Sequence, residues 1–307
     1  MSAPAAAALV TGAGGFVGRH LCRALHEAGL RVHVLTRPGS TAPPGVRSVP
    51  VDPMDRASLR AAVTDAAPDV VFHLAGTTRA ADVQAVNVEY ASLLLDVLAG
   101  LRAPAVSVVA GSAAEYGRPA RPSGVVSEGD ACHPLSAYGI SKLAQTRLAL
   151  AAAERGQPVV IARLFNPIGP GSPITSAAGD FVRQVASLPA AGGTLTTGPV
   201  DAVRDFTGIT ATVDALLALA RTPLARGRIV NVCSGRGVAM ADLVARLLSL
   251  APGSVTHCID PRRGGTSTLP TVVGDDTRLR QLGVSMAPLD LTGELRAMLA
   301  GAGVTAR

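Results

Sequence analysis

Tyr138 and Lys142 stand four residues apart in the stretch Ser136-Ala-Tyr-Gly-Ile-Ser-Lys142. On a helix that spacing puts both side chains on one face, one turn apart. An ammonium held beside a phenol favours the phenolate and lowers its pKa from about 10 towards working pH. A phenol tuned in this way is a general acid or base for hydride chemistry at a C–OH/C=O centre. By itself the pair is a weak signal, because any helix can carry it as an exposed hydrogen bond.

A second constellation lies at the start of the chain. Ala8-Leu-Val-Thr-Gly-Ala-Gly-Gly-Phe-Val-Gly18 reads as an apolar strand, a glycine-rich turn and the opening of a helix. Gly12, Gly15 and Gly18 are spaced so that the turn can close, the backbone can approach a diphosphate, and helix can pack on strand. The helix that opens with Phe16, Val17 and Gly18 offers free N–H groups and a positive dipole end to an anion. This pattern predicts a dinucleotide site. At the end of the next apolar run, Thr36-Arg37 stands where an acidic residue would hold a ribose 2′-OH. Arg37 therefore favours a 2′-phosphate and NADP, with NAD as the second choice. Asp52, after the third run, either meets the adenine amine or begins the turn into the next helix.

The elements that must position these residues alternate. Apolar runs at Ala7–Thr11, Arg31–Leu35, Ser48–Val51, Asp69–Leu74, Ala105–Ala110 and Pro158–Arg163 are separated by helical patterns, among them Asp82–Ala99 and Ser136–Arg155. Buried runs alternating with helices predict an α/β fold built on a doubly wound parallel sheet. The expected division is a dinucleotide-binding domain over residues 1–166. Residues 167–307 are then mostly a smaller substrate-binding lobe, with segments returning to the sheet. Asn166–Pro173 reads as a loop, with helices expected at Ser176–Leu188, Thr210–Ala220 and Ala239–Leu250.

Composition narrows the function classes. Of 307 residues 48% are hydrophobic and 3% aromatic, with no Trp, so Ala, Val and Leu must fill the core. The net charge of +6 is carried by scattered basic residues, which argues against a nucleic-acid partner. No apolar stretch reaches membrane-spanning length. Cys22, Cys132, Cys233 and Cys258 lie far apart without a C-x-x-C, so neither a metal site nor a disulfide framework is expected. Met1–Val10 lacks the positive start of a signal peptide, and a reduced, cytoplasmic setting is expected.

With these motifs placed, the chain resembles the extended short-chain dehydrogenase/reductase family of NAD(P)-dependent nucleotide-sugar epimerases, dehydratases and reductases. The family's landmarks occur in order along almost the whole length: Thr11–Gly18, His73-Leu-Ala-Gly76, Asn87-Val88 and Gly111-Ser-Ala-Ala-Glu-Tyr-Gly117. They continue with Tyr138–Lys142, Arg163-Leu-Phe-Asn-Pro-Ile-Gly-Pro170, Arg204-Asp-Phe206 and Asn231-Val-Cys-Ser-Gly235. The resemblance implies that Ser112, Tyr138 and Lys142 are catalytic. Ser112 would bond the sugar oxygen that becomes or ceases to be a carbonyl, Tyr138 would move the proton, and Lys142 would also bond the nicotinamide ribose. It further implies that Leu74, Ala75 and Gly76 line the cofactor, that Asn87 braces this strand end, and that Asn166 and Arg204 meet the substrate. As bland alternatives, Asn166 shapes the turn before Pro167 and Arg204 pairs with Asp205. His73 and Phe181 read as structural.

The branch follows from what surrounds this set. In the family's 4,6-dehydratases an acidic pair follows the catalytic Ser/Thr; here those positions are Ala113 and Ala114, and Glu115 comes one residue late. On a strand that shift points a side chain to the opposite face. Phe165–Gly171 and Asn231–Gly235 most resemble the 4-keto-6-deoxyhexose reductases, which implies reduction of a nucleotide-diphosphate 4-keto-6-deoxysugar, with 4-epimerisation on tightly bound NAD or non-catalytic NADP sensing as alternatives. On this resemblance Gly265 and Thr268 replace the family's Arg and Asp in the late loop, with Arg262 or Arg263 as substitutes. A homodimer joined through Asp82–Ala99 and Ser136–Arg155 is implied by resemblance alone.

Overall fold

The computed structural model describes residues 6–263 and 270–306; Gly265 and Thr268 lie outside them. Seven parallel strands form the main sheet: β1 (Ala7–Thr11), β2 (Arg31–Thr36), β3 (Arg47–Pro50), β4 (Val70–His73), β5 (Val106–Ser112), β6 (Val159–Leu164) and β7 (Ile229–Val232). Their order is β7-β6-β5-β4-β1-β2-β3. The direction of winding reverses between β1 and β4, and in such sheets a ligand crevice opens beyond the carboxyl ends of the strands at that reversal. Thr11, His73 and Ser112 are the last residues of β1, β4 and β5.

Alternation along the strands decides which helix meets which face. Ala8 and Val10 of β1 join Leu21 and Leu25 of α1 (Phe16–Glu27) in one core. Leu9 points the other way, to Leu59 and Val63 of α2 (Arg56–Ala66) and Leu94 and Leu98 of α3 (Tyr90–Ala99). Ala149 and Ala152 of α4 (Ala137–Glu154) pack beside α3 against Val109 and Ile161. Each such apolar side chain of Val or Leu size contributes roughly 1.5–3 kcal/mol when fully buried. Small Ala side chains let α4 approach the sheet closely, as the low aromatic content requires.

The second half divides between the main sheet and a lobe. After α5 (Ala177–Ala186), α6 (Ile209–Arg221) packs Leu216 and Leu219 into the same core as α1, and β7 extends the sheet beyond β6. The lobe has its own core, in which Phe181, Leu195 and Phe206 meet Leu243 and Leu247 of α7 (Met240–Leu250) and Leu295 of the terminal helix Leu291–Gly301. Its four-stranded sheet orders Gly237–Ala239, Val203–Asp205, Thr271–Gly274 and Val125–Val126. That last strand comes from the first half and has too few residues to show periodicity.

One predicted helix is divided. Asp82–Ala99 begins with a π-helical segment, Gln84–Glu89, before the α-helical Tyr90–Ala99. The wider turn carries the fully buried Asn87, whose Oδ1 accepts from Thr77 N at 2.8 Å and whose Nδ2 donates to Thr77 O at 3.0 Å. Nδ2 also donates to Ser141 Oγ on α4 at 2.8 Å. Asn87 thus ties the end of β4 to the helix that carries Tyr138, the bracing that the resemblance implies.

Candidate active site

The glycine turn is built for close approach. Gly12 has φ +71°, and a Cβ there would lie 2.6 Å from Leu74 C and Ala75 N. A Cβ on Gly18 would lie 2.1 Å from Gly12 O, so α1 can dock on β1 only through glycine. Over Gly14 a Cβ would meet nothing within 4 Å. No side chain caps the first turn of α1, where Gly15 is the N-cap. An open glycine face over uncapped N–H groups fits a diphosphate. Thr11 Oγ1 accepts from Ala75 N at 3.3 Å, holding the Leu74–Gly76 strand end beside that turn.

Arg37 lies exposed just past β2. Asp52 Oδ1 accepts from Met54 N at 2.9 Å, so this carboxylate opens the turn into α2. His73 is buried, with Nδ1 2.8 Å from Thr11 Oγ1 and its ring edge-on to Tyr90. Burial, and secondarily the Lys142 charge, depress its pKa to about 3, so the imidazole is neutral and structural.

Ser112 and Tyr138 meet at the carboxyl end of β5. Ser136 caps α4 by accepting from Gly139 N at 3.0 Å, which starts the helix where Tyr138 falls in its first turn. Gly139 lets that turn approach the residues after Ser112, since a Cβ there would lie 2.5 Å from Ala114 O. The Ser112 hydroxyl lies near enough to the Tyr138 phenol to favour its ionised form. Burial raises the phenol's pKa, the Ser112 contact opposes the rise, and the Glu115 charge adds to it.

That direction corrects the expectation of a Lys-depressed phenol. Lys142 is buried and donates to the main-chain O of Ala110 and to Gln145 Oε1. Burial lowers its pKa to about 8, against a smaller raising effect from Glu115. Desolvation, and not the Lys142 charge, decides the direction of the phenol's shift.

Glu115 also departs from expectation. The strand ends at Ser112, and Ala113–Glu115 is a single 3₁₀ turn, so strand alternation does not govern this side chain. Glu115 folds back beneath Ser112. Its Oε1 accepts from Ser112 N at 2.7 Å. Its Oε2 accepts from Arg163 Nη2 at 2.7 Å, Arg163 Nε at 3.0 Å and Thr146 Oγ1 at 2.9 Å. The carboxylate is 0% exposed and fully committed, so it cannot serve an elimination. Spacing along the chain does not join Glu115 to Arg163. The available signal was a charge of each sign set among apolar strand residues, which burial obliges to pair.

The two residues expected at the substrate lie where the main sheet meets the lobe. Asn166 Nδ2 donates to Asp205 O at 2.7 Å, tying the Pro167 turn to strand Val203–Asp205. Arg204 Nη1 donates to Val203 O at 2.8 Å. Asp205 does not pair with Arg204: its carboxylate takes Ser234 Oγ at 2.6 Å and the N–H groups of Ser234, Gly235 and Gly274 at 2.9, 3.0 and 3.2 Å. Phe181 is in the lobe core. Among the described residues no cluster of three or more His, Cys, Asp or Glu could hold a metal ion.

Comparison with known proteins agrees with this architecture. Residues 8–233 match the model of the NAD dependent epimerase/dehydratase family. The dTDP-6-deoxy-L-talose 4-dehydrogenase (NAD(P)(+)) of Kitasatospora kifunensis is 33% identical over 93% of this chain and 89% of its own. The GDP-6-deoxy-D-mannose reductase of Pseudomonas aeruginosa is 31% identical over 94% of this chain and 95% of its own. Among solved structures, a putative epimerase from Burkholderia cenocepacia J2315 superposes with a TM-score of 0.89 at 31% identity, covering 98% of this chain and 99% of that one. RMD from Pseudomonas aeruginosa complexed with NADPH gives 0.80 at 28% identity, covering 97% of each chain. The parallel sheet is thus that of a known lineage, and the chain belongs to the NAD dependent epimerase/dehydratase family.

Proposed function

We propose that this protein is an NAD(P)H-dependent reductase of the 4-keto group of a nucleotide-diphosphate 4-keto-6-deoxysugar. The observation that carries the reading is the Ser112 hydroxyl facing the Tyr138 phenol at the carboxyl end of β5. Two relatives support the substrate class, since both names specify a nucleoside-diphosphate 6-deoxyhexose and one specifies position 4. The dinucleotide would be held by the turn Gly12–Gly18 and strand end Leu74–Gly76, with Arg37 near a 2′-phosphate and Lys142 at the nicotinamide ribose. When bound, it supplies the hydride.

The chain's own residues do the rest. A phenol with a raised pKa remains protonated at neutral pH, which suits Tyr138 to donating a proton to a developing alkoxide. The Ser112 hydroxyl donates a second hydrogen bond to the same oxygen and stabilises its negative charge. The charged Lys142 adds a cation beneath the site. Glu115 is locked in its ion pair, so reduction is favoured over dehydration. The test is NADPH consumption across dTDP-, GDP- and UDP-4-keto-6-deoxysugars, with product stereochemistry read by NMR. Stoichiometric NADP+ with a C4 alcohol is the expected result. Purified protein that retains NAD and interconverts C4 epimers without added reductant would replace this reading with epimerisation.

A further inference from the structure

We propose that Glu115 is the positioning residue of this site, one carboxylate that holds the Ser112 backbone with one oxygen and the Tyr138-bearing helix with the other. This inference rests on the reductase reading for its kinetics, though not for its geometry. Oε1 receives the Ser112 N–H, the last of β5, while Oε2 receives Thr146 Oγ1 from α4 and the Arg163 fork from β6. Three elements distant in sequence therefore converge on one side chain. The distance between hydroxyl and phenol is set by β5 and α4, and Glu115 is a polar link between them beside the bond from Lys142 to Ala110 O.

The surroundings make the arrangement exacting. Arg163 is 1% exposed and lies 4.4 Å from the centre of the Tyr116 ring, whose hydroxyl donates to Asn231 Oδ1 at 2.7 Å. The charged and titratable groups facing Glu115 are Arg163 from β6, Lys142 and Tyr138 from α4, and Cys132 from the segment entering α4. Lys142 additionally faces His73 from β4 and Gln145 on its own helix. Negative charge on Glu115 favours the protonated forms of both Lys142 and Tyr138. Position and protonation of the pair are thus coupled through a carboxylate that is itself 0% exposed.

Composition supplies an unusual probe. Lys142 is the only lysine in the chain, so protein labelled with ¹³C-lysine reports that side chain alone. A double substitution, E115Q/R163M, removes both charges of the buried pair at similar volume, a change that such pairs often tolerate. We expect the Lys142 titration to move down, because the Glu115 charge is the one that raises it. NADPH affinity, read by fluorescence, should stay within about twofold, and kcat should fall by about tenfold or more. Should the double variant not fold, T146V keeps the charge pair and cuts only the tie to α4. It should lower kcat several-fold with KM for the sugar unchanged, and the conservative T146S should restore it. An unmoved Lys142 titration in a folded double variant, or T146V with unchanged kcat, overturns the proposal. The titration needs no substrate, so it stands or falls even if no ketosugar is reduced.

Discussion

The ammonium of Lys142 donates to the main-chain carbonyl of Ala110, two residues before Ser112 on the same strand. The cation of α4 is therefore seated under the strand that presents the hydroxyl. Its burial and its lowered pKa of about 8 have consequences for both activity and stability.

If a charged Lys142 supports turnover, kcat/KM should fall as pH rises through about 8. For stability the sign runs the other way. Between about 8 and the ordinary 10.5 the unfolded chain keeps a proton that the folded chain has released, so this group adds stability as pH rises through that window. Below it both states are charged, and the buried ammonium carries its desolvation cost. The stability of wild type minus that of Lys142→Met should therefore rise by up to about 3 kcal/mol from pH 8 to pH 10.5. Urea unfolding of both proteins at several pH values measures it; a flat difference would show that the amine is not desolvated.

Tyr138→Phe should lower kcat by about a thousandfold, the scale of a lost proton donor, with NADPH affinity almost intact. Ser112→Ala should cost less, about a hundredfold, because one of two hydrogen bonds to the oxygen remains. Equal losses in both variants would argue that the two groups do not act on one atom.

Two glycines of the same turn should respond oppositely to Ala. At Gly18 the new Cβ would lie 2.1 Å from Gly12 O, so Gly18→Ala should destabilise the fold by about 2 kcal/mol or more. At Gly14 the Cβ enters open space, so Gly14→Ala should leave the melting temperature nearly unchanged while weakening NADPH binding. Melting curves and fluorescence titration separate the two effects.

Arg37 is exposed past the end of β2, so Arg37→Asp should leave stability within about 0.5 kcal/mol of wild type. Its effect should appear in the cofactor ratio, moving preference from NADPH towards NADH by about tenfold or more. An unchanged ratio of the two kcat/KM values would remove the case for a 2′-phosphate at this arginine.

Much of this molecule was legible along the chain because the signals are local. Periodicity marks β1, β2 and β4–β6 as buried strands, and the glycine spacing before Phe16 states that a backbone must come close to something. Tyr138 and Lys142 share a helical face by spacing alone. The short strand Val125–Val126 and the π-helical turn at Asn87 left no trace, since the one is too brief to alternate and the other is imposed by Thr77 and Ser141 from elsewhere.

What the chain determined by itself is the inventory and its order: a strand, a glycine turn and a helix, then a serine at a strand end and a tyrosine one helix later. Only the tertiary structure decided the electrical state of that inventory. Whether Lys142 depresses the phenol depends on how deeply both are buried, and whether Glu115 is an acid or a brace depends on Arg163, which arrives from another strand. Desolvation and ion pairing act across space between residues that sequence keeps far apart, so neither outcome could be read from spacing.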